Sequence, residues 1–259
     1  MFKQRVVSAL ISIPLVLGAV WLGNYFFLFL IFIVSLLTLR EWFSIFALQN
    51  KKLQILTYLS CILVQLLAYF FQLPGILLAL LCFFLLLNLF WVLHYPLDFQ
   101  TVLLTLWGQI HISCFLAFFL LLRNLPHGLH MVFSVLFAVW ASDTGAYLCG
   151  IALGQHKMLP AVSPKKSWEG AAGGVIFAGL ALGILAPYLQ LNRFVAVLLG
   201  FSFSLVGQLG DLAESAVKRQ AQVKDSGRFL PGHGGLFDRL DSLLFAAPVA
   251  YFIFTFCFF

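Results

Sequence analysis

Two acidic pairs carry the chemistry that this sequence offers. Asp211 and Glu214 are three residues apart, Ser215 and Lys218 follow, and a continuing helix puts all four on one stripe. Asp238 and Asp241 repeat the i, i+3 spacing at the start of a later apolar run. Carboxylates from two helix ends are hard oxygen donors that suit Mg²⁺, which keeps waters and takes further ligands from phosphate oxygens. Salt bridges with Lys218, Arg219 and Arg239 are the plainer account of these acids. Salt bridges do not require the turn formed by Pro231, Gly232, His233, Gly234 and Gly235. Its backbone N–H groups can form an anion-binding concavity, with His233 as an added donor.

Two upstream motifs extend the pattern. In SPKKSWEG, Ser163 is placed to cap a helix whose first residue is Pro164, which sets Lys165 and Lys166 in the first turn beside free backbone donors, an arrangement that favours phosphate. Gly170, Gly173 and Gly174 serve either close helix packing or approach to a ligand. In WASDTGAY, Asp143 lies within an apolar run, where an ionised carboxylate costs roughly 2.5–3.5 kcal/mol. A partner, a cavity or a metal is implied, the plain alternative being a hydrogen bond to Ser or Thr on a neighbouring helix. Acids for metal and bases for phosphate are what phosphoryl or nucleotidyl transfer from a nucleoside triphosphate demands. No Walker-type phosphate loop, G-x-G-x-x-G, H-E-x-x-H or G-x-S-x-G occurs.

The elements that must position these groups are membrane helices. Hydrophobic residues make up 63% of the chain and charged residues 9%, against about 25% charged in an ordinary soluble domain; mean hydropathy is +1.04. The class is all-α and polytopic. Cys61, Cys82, Cys114, Cys149 and Cys257 are scattered singly, which suggests neither a zinc cluster nor a disulfide framework. The net charge of +6 comes with no basic arm or aromatic-basic reading face, so nucleic acid is not an expected partner.

Lys3 and Arg5 before an apolar run give the outline of a signal peptide, but another span follows, so the run is read as a first transmembrane helix. Spans are expected at 6–22, 25–39, 53–71, 74–93, 101–122, 130–150, 168–188, 194–212 and 241–258, about nine in all. Lys and Arg then divide 13 to 2 between the two faces, which places the N-terminus in the cytoplasm. Asp143, Glu169, Asp211, Glu214, Asp238 and Asp241, from four helices, are brought to one depth on that side. Residues 1–129 supply about five spans and 130–259 the catalytic helices, within one integrated membrane domain. In the first half, Arg40 and Glu41 read as an interfacial stop signal and His111 as a hydrogen-bonded packing residue. Gln65, Asn88 and Gln109 read as inter-helix hydrogen-bonding groups.

The run S-x-V-K-R-x4-K-D-x-G-x2-L-P-x-H-G-G-L-x-D-R-L-D, from Ser215 to Asp241, resembles the signature of the phosphatidate cytidylyltransferase, or CDP-diacylglycerol synthase, family. The resemblance continues upstream through GDLAES, SPKKSWEG and DTGAY. It implies that CTP and phosphatidate give CDP-diacylglycerol and pyrophosphate with Mg²⁺, the presence of a second cation being open. Asp211 and Asp238 match the family's metal-binding positions, with Asp241, Glu214 and Asp143 as further candidates. Lys165, Lys166, Lys218, Arg219, Lys224 and Arg239, with the 232–235 turn, are the implied phosphate clamps, and Ser163 and Ser215 fall on the substrate side. The expected setting is the cell (inner) membrane, multi-pass, with the active site facing the cytoplasm and membrane lipid around it; a homodimer is the default assembly. A CTP-dependent lipid-alcohol kinase shares the setting and the donor. An ion-coupled transporter is the other alternative, although it calls for polar groups through the membrane depth rather than at one face.

Overall fold

A computed structural model describes residues 2–227 and 234–258. The chain divides into two compact units, Met1–Asn124 with Val223–Arg239, and Leu125–Gln222 with Leu240–Phe259.

The first unit begins with α1 (Phe2–Leu22), α2 (Asn24–Ile45) and α3 (Lys51–Leu93). After α4 (Phe99–Gly108), a π-helical turn at Gln109–Cys114 leads into α5 (Phe115–Asn124). The caps are local and legible: the Asn50 side chain accepts from Leu53 N at 3.2 Å, and Asp98 accepts from Gln100 N and Thr101 N at 3.1 and 2.8 Å. At the end of α1, Arg123 Nε donates to Val20 O at 2.9 Å, so a distant cation satisfies a C-terminal carbonyl.

Buried amides tie these helices together. Gln65 Nε2 donates to Ser35 Oγ and Ser113 O, at 3.1 and 2.9 Å, and Gln109 Nε2 donates to Ser60 Oγ at 3.0 Å. Asn88 departs from expectation: its amide donates to Phe84 O of its own helix at 2.7 Å, bonding back to the preceding turn rather than across to a neighbour. His111, in the π-helical turn, accepts from Trp107 Nε1 at 3.1 Å and packs against Trp42 and Phe237.

The second unit holds α6 (Gly128–Leu153), a hairpin of β1 (Lys157–Leu159) and β2 (Ser163–Ser167), α7 (Trp168–Leu185), α8 (Arg193–Gln220) and most of α9 (Phe237–Phe258). A Cβ at Gly173 of α7 would strike the Cys149 side chain of α6, so this glycine serves close helix packing. Polar groups tie α8 to both helices: Ser142 of α6 and Ser204 share a 2.7 Å hydrogen bond, and Gln208 Nε2 donates to Ser204 Oγ of its own helix and to Ala171 O of α7, both at 3.0 Å.

Among the described residues, 7 helices are long and apolar enough to cross a membrane, against the nine spans expected. The difference has two sources. The described apolar stretch of α1 is the short Leu10–Leu22. The 43-residue α3 covers two expected spans, with a non-helical turn at Gln72 (φ 54°, ψ −138°) two residues before Pro74.

Candidate active site

The SPKKS segment folds against expectation. Ser163 does not cap a helix; it pairs with Leu159 across the hairpin. Pairing with Lys157–Leu159 keeps Ser163–Ser167 extended, so no helical turn follows Pro164. The helix starts after the next available cap, Ser167, whose Oγ accepts from Gly170 N at 3.2 Å. Lys165 and Lys166 therefore sit on a strand rather than in a helical first turn, and strand alternation sends them to opposite faces. Lys165 is exposed. Lys166 turns inward, with its Nζ 2.7 Å from Asp211 Oδ2.

Asp211 lies in the cytoplasm-expected half of α8, one turn beyond the Gln208 cross-link. Helical spacing puts Glu214 on the same face, and α9 brings Asp241 alongside. Carboxylate oxygens of Asp211, Glu214 and Asp241 all lie within 4.8 Å of one another. Close helix contact makes this possible: a Cβ at Gly210 would sit 2.5 Å from Asp241 O. Glu214 is fully buried and its Oε2 is 2.7 Å from Lys218 Nζ, an i, i+4 pair along α8. Three carboxyl groups thus face two ammonium groups. Asp143, exposed on α6, is not one of the gathered carboxylates.

The other expected groups are placed as follows. Glu169 does not join the cluster; its carboxylate takes His156 Nδ1 at 2.6 Å and His156 N at 3.2 Å, because it opens α7 beside the hairpin entry. Arg219 Nε donates to Val162 O at 3.2 Å, linking the last turn of α8 to the hairpin. Ser215 is half-buried on α8 next to Glu214. Lys224 and Arg239 are exposed and belong, with Asp238, to the first unit. His233, Pro231 and Gly232 lie outside the described residues.

Asp238 holds backbone. Its Oδ2 accepts from Ser226 N at 3.0 Å and from Gly235 N at 2.8 Å, while Gly234 takes a left-handed φ of 84° that suits glycine. The next two N–H groups go to a residue that the sequence reading assigned to an interfacial stop. Glu41, at the end of α2 and only 9% exposed, accepts from Leu236 N at 2.8 Å, from Phe237 N at 2.9 Å and from Ser226 Oγ at 3.0 Å. The one sequence signal that points to it is negative: Leu236, just before α9, cannot cap that helix with its own side chain.

The arrangement is a cluster of carboxyl groups from two helix ends, two of them paired with lysines, in a chain of long apolar helices. The chain matches the model of the Cytidylyltransferase family over residues 3–257, and it belongs to that family. The phosphatidate cytidylyltransferase of Bacillus subtilis (strain 168) is 35% identical over 266 residues, covering 97% of each chain. That of Mycobacterium tuberculosis (strain ATCC 25618 / H37Rv) is 44% identical over 156 residues, 60% of this chain and 46% of the relative. That of Staphylococcus aureus (strain N315) is 43% identical over 136 residues, 52% of each.

Proposed function

We propose that this protein transfers the cytidylyl group of CTP to phosphatidate, giving CDP-diacylglycerol and pyrophosphate, at a site centred on Asp211, Glu214 and Asp241. The observation that carries the site is the three-carboxylate cluster flanked by Lys166 and Lys218. A phosphate oxygen of phosphatidate bonds to the α-phosphorus of CTP, and the bond from that phosphorus to the bridging oxygen breaks. The electron pair leaves on pyrophosphate. The nucleophile is already an anion, so no strong general base is needed, and none of the gathered residues has to act as one.

The donor set fits a hard divalent cation, because it consists of carboxyl oxygens alone, gathered from two helix ends. Mg²⁺ held by Asp211, Glu214 and Asp241 would neutralise the two approaching anions and the charge developing on the leaving group. Lys166 and Lys218 hold two of these carboxylates in place and add positive charge where phosphates arrive. Lys165, Arg219, Lys224 and Arg239 are the remaining candidate phosphate contacts. The distribution of Lys and Arg supports a cytoplasm-facing site in the cell membrane, with residues 130–259 supplying the gathered carboxylates.

The test is turnover of the purified full chain in detergent micelles with α-³²P-CTP, phosphatidate and Mg²⁺. Label enters the lipid phase only when phosphatidate and Mg²⁺ are both present, and EDTA or replacement of phosphatidate by diacylglycerol abolishes it. Folded protein that leaves the lipid unlabelled would refute the reading.

A further inference from the structure

The N-terminus of α9 presents N–H groups that no residue of the helix satisfies by itself. Every helix start has such donors, and a Ser, Thr, Asp or Asn usually meets them from the position before the first turn. Here that position is Leu236. Phe237, the first residue of the helix, is fully buried against Trp42 and His111, so water does not substitute.

We infer that Glu41 is a positioning residue for cytidylyl transfer, acting as a remote cap that fixes the start of α9 and the base of the signature loop. Both of its oxygens are used: Oε1 by Leu236 N, Oε2 by Phe237 N and Ser226 Oγ. Ser226 is held twice, since its own N–H donates to Asp238. The backbone is shaped around this carboxylate. A Cβ at Gly227 would lie 2.7 Å from Glu41 Oε1, and one at Gly235 would lie 2.5 Å from Oε2. Two elements far apart in sequence, the end of α2 and the signature segment, therefore close on one buried acid. The helix so anchored carries Asp238 and Asp241 in its opening residues. The inference rests on the transfer reading above, because it concerns the placing of groups on that helix.

The experiment compares Glu41→Gln, Glu41→Asp and Ser226→Ala with the unaltered full chain in micelles, reading kcat, KM for CTP, KM for phosphatidate and the unfolding midpoint. Glutamine has one acceptor oxygen and turns an N–H₂ toward a donor, so Glu41→Gln is expected to lower kcat by about 10²-fold, the scale for small misplacements of catalytic groups. KM for both substrates stays within about threefold, as befits a group that touches neither. Glu41→Asp keeps two oxygens and recovers part of the loss. Ser226→Ala, which removes one of the three contacts, falls less than Glu41→Gln.

Wild-type kcat in folded Glu41→Gln would overturn the inference, as would losses in all variants that only follow the fraction of folded protein. If Glu41→Gln does not fold, wild-type kcat in both folded Glu41→Asp and Ser226→Ala overturns it. An inactive unaltered chain would instead refute the transfer reading.

Discussion

Replacing Gly210 by alanine tests whether the approach of α8 to α9 sets the active site. The new Cβ would stand 2.5 Å from Asp241 O and 3.0 Å from Phe245 Cβ. Ordinary carbon contacts begin near 3.5 Å, so one helix must move by about 1 Å. Residue 210 precedes Asp211, and the oxygen it strikes belongs to Asp241, so the movement separates two members of the carboxylate cluster. Overpacking of this kind costs about 1–3 kcal/mol, partly offset by about 1 kcal/mol from the better helix propensity of alanine. The catalytic effect is larger, with a 1 Å error expected to lower kcat by about 10²-fold. Gly207→Ala is the internal control. It lies one turn earlier on the same face, yet its Cβ would meet Ser242 Cβ at 3.4 Å, an ordinary contact. That variant keeps wild-type turnover and gains up to about 1 kcal/mol. Turnover with labelled CTP and thermal unfolding in micelles read both variants. If Gly210→Ala matches Gly207→Ala in kcat and stability, the contact does not position the carboxylates and the reasoning fails.

Asp211→Asn should keep the fold and lose turnover by at least about 10²-fold, since a cation ligand contributing several kcal/mol to the transition state is removed; normal turnover with labelled CTP would exclude Asp211 as a ligand. Lys218→Met leaves the buried Glu214 carboxylate without its 2.7 Å ammonium partner and should cost about 3–5 kcal/mol. Adding Glu214→Gln to it should recover most of that loss, and additive unfolding shifts would contradict this. Ser167→Ala removes the cap of α7 and should lower stability by about 1 kcal/mol in the same unfolding assay.

The membrane class was legible because lipid imposes it residue by residue, and the short-range devices were legible for the same reason. Asn50 and Asp98 cap as their types suggest, and Gln65 and Gln109 bond across helices as buried amides must. Two capping serines flank PKK, and local capping preference does not choose between Ser163 and Ser167. The hairpin partner, β1, decided between them, and the sequence pattern of SPKKS alone does not reveal it. The i, i+3 spacing correctly grouped Asp211 with Glu214. It could not tell Asp238 from Asp241, since helix spacing fixes a stripe but not which member turns toward the other carboxylates and which toward a loop.

Glu41 shows the limit of local reading more sharply. An acid after an arginine at a helix end has an ordinary explanation in membrane topology, and its partners are nearly 200 residues away. The information lay instead in a deficiency of the signature itself, a buried helix start at Leu236 and Phe237 with no capping side chain before it. A signature that specifies its cations, acids and glycines still leaves these donors to be met from elsewhere in the chain. Residues 130–259 taken alone contain the Asp211, Glu214 and Asp241 carboxylates, yet they lack the group that accepts from the first N–H groups of α9. The first half of the chain therefore does more than span the membrane: through one carboxylate it completes the helix on which two of the expected active-site acids stand.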